Sequence, residues 1–290
     1  NTINDSLNNF NHPETSSISH SGLTNSINLI TCSQELLNLP DIDDSTNTIS
    51  IFPYIEPINN NGLQLVYISL SMFIKDSYQT FVIKCSDQIP ELDIIKYFKK
   101  YFENKNLKKI THNAKNLILY LKKFNIQLEN LYFDTNIASY VINPSKGNYS
   151  LKDIAFEWLG LNIKDIDDAL GSGKKKLNIH EIETNEISNI LGTYTYVLAN
   201  VYQMMHNKIS ENQQQKLFYD IEMPLISVLC DMEWEGIMVD KSQLCDFSII
   251  LDQKLKNFEE EIYKISNKNF NINSPKQLSQ ILFEELKLPI

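Results

Sequence analysis

The sequence predicts an α/β protein: a mixed β-sheet covered by helices, followed by a segment that is entirely helical. Three observations carry this prediction. Short β-rich runs come first along the chain, strand and helix patterns then alternate, and beyond Asp134 the helical period dominates. With 290 residues, of which 42% are hydrophobic and 21% charged, the chain is long enough for one full domain and part of another.

Three runs rich in β-branched and aromatic residues predict the first strands. They read TISIFPYI from Thr48, LQLVYISLSMFI from Leu63 and TFVIKC from Thr80. The connections between them are short and contain turn residues, Asn59-Asn60-Asn61-Gly62 and Lys75-Asp76-Ser77. Consecutive strands joined by such short turns favour an antiparallel meander.

The next segment alternates between helix and strand patterns. A helix is predicted from Glu91 to Glu103, because Pro90 suits a helix entry and apolar residues recur at helical spacing. A short strand from Lys109 to Thr111 and a helix from Ala114 to Phe124 follow. This alternation predicts that helices cover the sheet.

Helical spacing dominates the remainder of the chain, interrupted by a flexible basic loop from Leu170 to Leu177 and a short strand from Ile237 to Asp240. Ser150 and the Ser274-Pro275 pair are expected to open helices, since serine caps helix N-termini and proline fits the first helical position. The predicted helices are Thr135 to Ile142, Ser150 to Leu159, Glu183 to Leu191, Tyr194 to Lys208, Gln213 to Glu233, Lys241 to Asn267, and one that begins at Ser274.

Three regions are expected along the chain: a disordered linker or tail at 1–47, an α/β domain at 48–210 and the beginning of a helical domain at 211–290. The first 28 residues are rich in Asn, Ser, Thr and His and poor in large apolar groups, a composition that does not support a packed core. The chain lacks a starting Met and its last residues read LKLPI, so we expect an excerpt from a longer protein.

Charge and composition limit the possible partners. A formal net charge of -10 argues against a surface that binds nucleic acid all over, because phosphate contacts need clustered cations. The sequence has no arginine, so anion contacts would come from Lys, backbone N–H groups or small polar side chains. No secretory or transmembrane segment is predicted, and we expect a soluble, cytoplasmic protein.

Cysteine and histidine spacing predicts a reduced protein without a metal cage, because neither residue type shows the spacing of a ligand set. The residues concerned are Cys32, Cys85, Cys230, Cys245, His12, His20, His112, His180 and His206.

Five strings together resemble the family A DNA polymerases of the bacterial DNA polymerase I type. They are HNAKN from His112, FDTNIASYVINP from Phe133, SLKDIAFEWLG from Ser150, YDIEMPLISVLCDMEWEGIMVD from Tyr219 and FNINSPKQLSQILFEEL from Phe270. The resemblance covers about Thr48 to Ile290. It implies a ribonuclease H-like 3'-to-5' exonuclease domain at 48–210, followed by the first helices of the polymerase thumb at 211–290.

The resemblance also implies where an active exonuclease would hold two divalent metals. The family uses an Asp-x-Glu pair on the first strand, an Asp four residues after a motif Asn and an Asp four residues after a motif Tyr. In this chain those positions hold Phe52 and Tyr54, then Leu117 after Asn113, then Leu198 after Tyr194, or Asn200 if Tyr196 is the match. Because two metals need converging carboxylates, no catalytic and no metal-binding residue is predicted.

Two alternatives remain open at this stage. One is an active exonuclease with unusual ligands, for which Glu56, Asp134 and Asp220 are the candidates. Asp134 is interpreted instead as a helix cap, and the acidic run Asp41, Asp43 and Asp44 as a solvated turn. The other alternative is a non-catalytic module that binds nucleic acid, for which the net charge of -10 is unfavourable.

Weaker motifs are interpreted as structural. Gly171-Ser172-Gly173-Lys174 lacks the spacing of a phosphate-binding loop, and Lys174 to Lys176 are expected to be solvated. Asn273, Ser274 and Lys276 lie at a predicted helix start, where capping is the expected role. Which residues contact nucleic acid is left open.

The resemblance implies the partners as well. The parent protein would extend a primer on template DNA, in replication and repair, with Mg2+ held by carboxylates of a palm beyond Ile290. This segment is expected to bind no cofactor, to pack against the missing palm and fingers, to avoid membranes and to be monomeric.

Overall fold

The computed structural model describes residues 27–37, 39–40, 47–58, 62–74, 77–173 and 176–289. It divides into two compact units, Asn1–Glu235 and Gly236–Ile290. The predicted acidic turn at Asp41, Asp43 and Asp44 lies outside the described residues, as do most of the polar N-terminal segment and the lysines at 174 and 175. Within the described ranges, no helix is long and apolar enough to cross a membrane.

A six-stranded mixed sheet forms the centre of the first unit, in the order β1-β4-β3-β2-β5-β6. The β2–β3 and β3–β4 pairs are antiparallel, whereas β1–β4, β2–β5 and β5–β6 are parallel. The predicted mixed sheet and its antiparallel meander are therefore confirmed. The strands are β1 Ile27–Ile30, β2 Thr48–Ile58, β3 Gly62–Ile74, β4 Ser77–Lys84, β5 Lys108–Thr111 and β6 Leu131–Asp134.

Residues 1–47 were predicted to be a disordered linker or tail, but the second half of this segment contains a strand and a helix. Ile27–Ile30 pairs with residues 80–83 of β4, and the helix Ser33–Leu36 follows it directly. Both Ile30 and Leu36 are buried. Three apolar residues in a four-residue stretch, Ile-Asn-Leu-Ile, are too few to change the average composition of a polar segment, but the open edge of a sheet offers the stretch backbone partners.

Eleven α-helices lie in the described residues: α1 Ser33–Leu36, α2 Glu91–Phe102, α3 Ala114–Lys122, α4 Thr135–Ile142, α5 Leu151–Leu159, α6 Ile166–Leu170, α7 Thr184–Glu211, α8 Gln215–Leu217, α9 Met223–Glu235, α10 Lys241–Ser266 and α11 Pro275–Ser279. The predicted break between two helices at 191–194 was wrong, since α7 runs through it. Gly192 interrupts the apolar pattern of the sequence, but the helix continues through it. A glycine at this position lets the helix approach the side chain of Ile27 closely.

A π-helical turn, Phe218–Glu222, joins α8 to α9. Pro224 explains this turn, because proline has no N–H to donate to the carbonyl of Asp220 four residues before it. The single helix predicted from Gln213 to Glu233 therefore consists of two α-helical segments, α8 and α9, joined by a π-helical turn.

The predicted strand from Ile237 to Asp240 was wrong. These residues form no regular structure; Ile237 is 89% and Met238 is 100% exposed. Asp240 instead caps α10 by accepting hydrogen bonds from the N–H groups of Ser242 and Gln243. The first compact unit ends at Glu235 and includes α9, while the domain boundary expected at 210/211 stays a prediction.

Helices cover both faces of the sheet. One core, the α7 core, lies between the sheet and α4, α5, α7 and α9. The other, the α2 core, lies between the opposite face and α2 and α3, and it contains Ile49, Ile51, Phe98 and Tyr101. The strands that separate the two cores are thus buried on both faces, which agrees with their nearly continuous apolar sequences.

Candidate functional site

The two β2 side chains at the predicted acidic-pair positions face the α7 core. Phe52 and Tyr54 are half-buried and pack against that core. The ring of Phe52 meets the ring of Tyr194 edge-on, with centroids 5.0 Å apart. Such contacts stabilise beyond the apolar area they bury, so aromatic rings fill this part of the sheet surface.

Tyr194 on α7 fastens the start of α6 to this aromatic pair. Its hydroxyl donates to Asp165 Oδ1 over 2.7 Å and accepts the N–H of Ile166 over 2.9 Å. Burial and the bonded Asp165 carboxylate raise the pKa of Tyr194 far above its usual value, so the hydroxyl stays protonated. The phenol therefore holds the α6 segment against the sheet.

Sequence reasoning missed α6, although a signal for it exists. Asp165 caps the helix and Asp168 accepts from the Asp165 N–H, which completes a capping box. The Asp-x-x-Asp spacing at 165–168 is an acidic version of that motif and could have located the helix.

Tyr54 is paired with Glu56 on the same strand. The Tyr54 hydroxyl donates to Glu56 Oε1 over 3.3 Å. Burial raises the pKa of Tyr54 to about 12, with the charges of Glu56 and Asp167 adding to the effect. Glu56 thus accepts a hydrogen bond from Tyr54, which lies at one of the two strand positions expected to hold an acidic ligand.

Leu198 and Leu117 are both buried but lie in different cores. Leu198 on α7 is 0% exposed and belongs to the α7 core with Phe52 and Tyr54. Leu117 on α3 is 2% exposed and packs in the α2 core. The structure therefore brings three of the four predicted ligand positions to one face of the sheet, and it places the fourth in the other core.

The alternative register, with Tyr196 as the motif tyrosine, leads to Asn200. The Asn200 amide donates to the Tyr196 carbonyl over 2.7 Å, one turn earlier on α7. Its side chain therefore bonds to its own helix.

Asp134 is a helix cap, as interpreted from the sequence. Its carboxylate is 1% exposed and accepts N–H groups from Asn136 at 2.8 Å and Ile137 at 3.3 Å in α4. It also accepts from Asn113 at 3.2 Å and Ala114 at 2.6 Å at the start of α3. One carboxylate thus serves two helix N-termini, where a negative charge is favourable.

His112 lies beside this double cap. Its Nδ1 is 2.9 Å from Thr135 Oγ1, and burial lowers the pKa of His112 although the Asp134 charge opposes the shift. The histidine therefore bonds as a neutral ring to the first residue of α4.

The third ligand candidate, Asp220, is exposed on the π-helical turn. Throughout the part of the chain that the structure describes, no three His, Cys, Asp or Glu side chains are grouped so as to hold a metal ion.

Two protein-family models match this chain. The model described as "3'-5' exonuclease" matches residues 55–210, and the model described as "DNA polymerase family A" matches residues 241–290. Members of both families are typically metal-dependent. The first match covers more than half of the chain.

The curated relatives include DNA polymerase I of Bacillus subtilis (strain 168), 32% identical over 262 residues, which are 89% of this chain and 29% of that protein. DNA polymerase I of Streptococcus pneumoniae serotype 4 is 32% identical over 267 residues, 89% of this chain and 30% of that protein. The chain thus spans about 30% of the length of these relatives.

Solved structures share the fold at lower identity. "POL domain of Pol1 from M. smegmatis complex with DNA primer-template and dNTP" has a TM-score of 0.63 and 18% identity, covering 91% of this chain and 41% of that one. "Brucella melitensis NrnC with bound Mg2+" has a TM-score of 0.53 and 17% identity, covering 74% and 98%. These likenesses support the ribonuclease H-like sheet with flanking helices. The two family models, not these likenesses, show that the chain belongs to the family A DNA polymerases and carries that family's 3'-5' exonuclease domain.

Proposed function

We propose that this chain is a segment of a DNA-directed DNA polymerase of the DNA polymerase I type, which acts in DNA replication and repair. The match of residues 241–290 to the DNA polymerase family A model supports this role. The curated relatives are bacterial DNA polymerase I proteins, and one structural neighbour is titled as a complex with DNA primer-template and dNTP. The proposal includes primer-template DNA as its partner, the cytoplasm as its setting and a monomer as its working form.

We also propose that the exonuclease domain is non-catalytic and has a structural role. One observation carries this proposal: apolar or aromatic side chains occupy the four positions at which the family would hold its metals. Phe52 and Tyr54 pack on the sheet, and Leu117 and Leu198 are buried. Hard divalent ions take oxygen ligands, so this donor set does not fit a pair of Mg2+ ions.

The neighbouring carboxylates have other roles. Asp134 accepts four backbone N–H groups, and Asp165 is bonded by Tyr194. Glu56 accepts the Tyr54 hydroxyl, at the end of β2. The Mg2+ ions of the parent polymerase would belong to its palm, so no catalytic step is assigned to residues of this chain.

A nuclease assay tests the structural role. The purified chain is incubated with single-stranded DNA labelled at its 3' end, with Mg2+ or Mn2+, and released nucleotides are measured. We expect no release above that of an EDTA-treated sample. Metal-dependent release would favour the active exonuclease with Glu56, Asp134 and Asp220 as ligands.

A matched variant separates such activity from a contaminating nuclease. Glu56→Gln with Asp220→Asn removes two of the three candidate carboxylates and keeps the Asp134 double cap intact. Release that disappears in this variant would contradict the proposal, whereas release that persists would come from a contaminant. Retention of single-stranded DNA without cleavage, at moderate salt, would indicate the nucleic-acid-binding module instead.

A further inference from the structure

Two cysteines follow the ends of neighbouring parallel strands in matching register. In the β1–β4 pair, Ile30 lies opposite Ile83. Counting two residues further along each strand places Cys32 opposite Cys85. The backbone supports this extrapolation, because Cys32 is still extended, with φ -138 and ψ 155, and the Cys85 N–H still donates to Val66 O over 2.9 Å.

The alternation of faces along the paired strands, continued past Ile30 and Ile83, places both cysteines on the same face of the sheet. Residues directly opposite in parallel strands share a face, and the faces alternate along each strand. Ile30 and Ile83 both lie in the α2 core, whereas Thr31 and Lys84 line a cavity on the opposite face. The next pair is again on the α2 side, where Cys85 packs against that core.

The segments that carry the cysteines are held together beyond the strands. Ser33 Oγ donates to Gln88 O over 2.8 Å, which links the residue after Cys32 to the turn after Cys85. Neighbouring strands lie about 4.8 Å apart, inside the range of about 4.4–6.8 Å between the Cα atoms of disulfide-bonded cysteines. Both thiols are free and half-buried.

We propose that Cys32 and Cys85 form a reversible disulfide that fastens β1 and α1 to the sheet under oxidising conditions. In the reduced protein, this edge strand pairs through only four residues. The disulfide adds a covalent link directly after that pairing ends. The N-terminal segment of the domain would therefore be more firmly held in the oxidised protein than in the reduced one.

The oxidant is a low-molecular-weight disulfide, R–S–S–R. The Cys32 thiolate attacks one of its sulfurs and releases R–S⁻, which leaves a mixed disulfide on Cys32. The Cys85 thiolate then attacks the Cys32 sulfur, forms the Cys32–Cys85 bond and releases the second R–S⁻. The two cysteines lose two protons and two electrons, and R–S–S–R becomes two R–S–H.

The order of attack follows from the surroundings of each thiol. Burial raises the pKa of the Cys85 thiol, and the Glu91 charge adds to that shift. Cys32 lies beside the exposed Glu35, whose pKa is lowered by hydrogen bonds from Thr31 and Cys32. Because the thiolate is the attacking species and the pKa of the Cys85 thiol is raised, the second step is faster at pH 8 than at pH 7.

Peptide mapping tests the bond. The full chain is incubated with oxidised glutathione at pH 8, blocked with iodoacetamide and digested without reductant by trypsin and a glutamyl-specific protease. Cleavage after Glu14, Glu35, Lys84 and Glu91 gives peptides 15–35 and 85–91. We expect these two peptides to be joined in most of the oxidised protein and to separate on reduction.

Variants supply the controls and a second measurement. Cys245→Ser, which removes an exposed thiol, leaves the joined peptides unchanged, whereas Cys32→Ser and Cys85→Ser each abolish them. Oxidation slows amide exchange at Ile27–Ile30 at least severalfold in the parent chain and not in Cys32→Ser. Separate glutathione adducts on Cys32 and Cys85, without a link, would overturn the proposal, as would equal linkage of Cys32 to Cys245.

Discussion

At the scale of single residues, burial decides which polar groups this domain tolerates. Asp134 is buried with four N–H partners, whereas Leu198 lies at a fully buried site where a lone carboxylate would lack them. Burying a charge without partners is costly, and two neighbouring carboxylates would also repel each other. Leucine and phenylalanine carry no charge, so Leu198 and Phe52 avoid this cost.

Lys109 is an exception, because it is a buried cation on a central strand. It is 1% exposed, and its ammonium donates to the carbonyl of Asn104. Burial lowers the pKa of Lys109 to about 8, although the charge of Glu129 opposes the shift. In the unfolded chain the pKa of a lysine is about 10.4.

A Lys109→Met variant tests whether the buried ammonium of Lys109 lowers the stability of the folded protein. Between about pH 8 and 10.4 the unfolded state binds more protons than the folded state, so the wild type gains stability as the pH rises through this window. Below pH 8 the buried charge is present in the folded state and costs free energy. We expect Lys109→Met to be more stable than the wild type by about 1–2 kcal/mol at pH 7, and the difference to shrink towards pH 10.

The measurement is urea unfolding at several pH values from 7 to 10. Lys105→Met is the matched control, since Lys105 is exposed and lies 4.0 Å from the same Glu129 carboxylate. Its difference from the wild type should stay small at every pH. A constant advantage of Lys109→Met across the range would show that Lys109 keeps its charge in the folded state.

At the scale of elements, α7 organises the first unit. It lies across the sheet, and two sheet side chains donate to its carbonyls: Ser69 Oγ to Leu191 O over 3.0 Å and Tyr78 Oη to Ala199 O over 3.1 Å. The same helix carries Tyr194, which holds α6. One helix thus links the edge strand, the centre of the sheet and the aromatic pair on β2.

Gly192 is the contact point between α7 and β1. A Cβ atom there would lie 2.8 Å from Ile27 Cδ1 and 2.9 Å from two further atoms of that side chain. We therefore expect Gly192→Ala to displace β1 and to speed amide exchange at Ile27–Ile30. The gain of about 1 kcal/mol that alanine normally gives in a helix should not be seen.

Removing the obstructing side chain should recover that gain. In an Ile27→Ala background, Gly192→Ala is expected to stabilise the protein by about 0.5–1 kcal/mol, because the clash is absent. Thermal and urea unfolding of the two single variants and the double variant measure this coupling. If Gly192→Ala stabilised the otherwise unchanged protein as much as it stabilises the Ile27→Ala variant, the Ile27 side chain would be able to move aside without cost.

At the scale of the whole molecule, the sequence predicted what regular patterns encode. Turn residues and apolar runs located β2 to β4, and the serine and aspartate caps located the starts of α4 and α5. The errors concern structure that depends on distant partners. β1 needs the edge of β4, Gly192 acts through Ile27, and Ile237 to Asp240 has a strand-like sequence but no regular structure.

In the candidate site too, local motifs predicted some features, whereas others depend on residues distant in the chain. The family resemblance pointed to Phe52, Tyr54, Leu117 and Leu198, whose role stays a proposal, and a cap signal predicted the role of Asp134. The bond between Tyr194 and Asp165 joins residues 29 apart in the chain. The position of Leu117 in the other core also depends on the path of α3 across the sheet, which no local motif encodes.

The two units differ in how far their apolar side chains are buried. The first unit contains both cores, whereas no residue of α10 is buried in the second. Leu244, Phe247 and Phe258 on α10 are each more than half exposed. We therefore expect residues 1–235 alone to fold with the same free energy of unfolding as the full chain, within about 0.5 kcal/mol.

A chain that ends after Glu235 and the full chain are compared by urea unfolding, followed by tryptophan fluorescence and circular dichroism. Amide exchange along 241–266 in the full chain should be fast, because no residue of α10 is buried. A lower midpoint for the shortened chain, with slow exchange along α10, would mean that residues 236–290 stabilise the first unit.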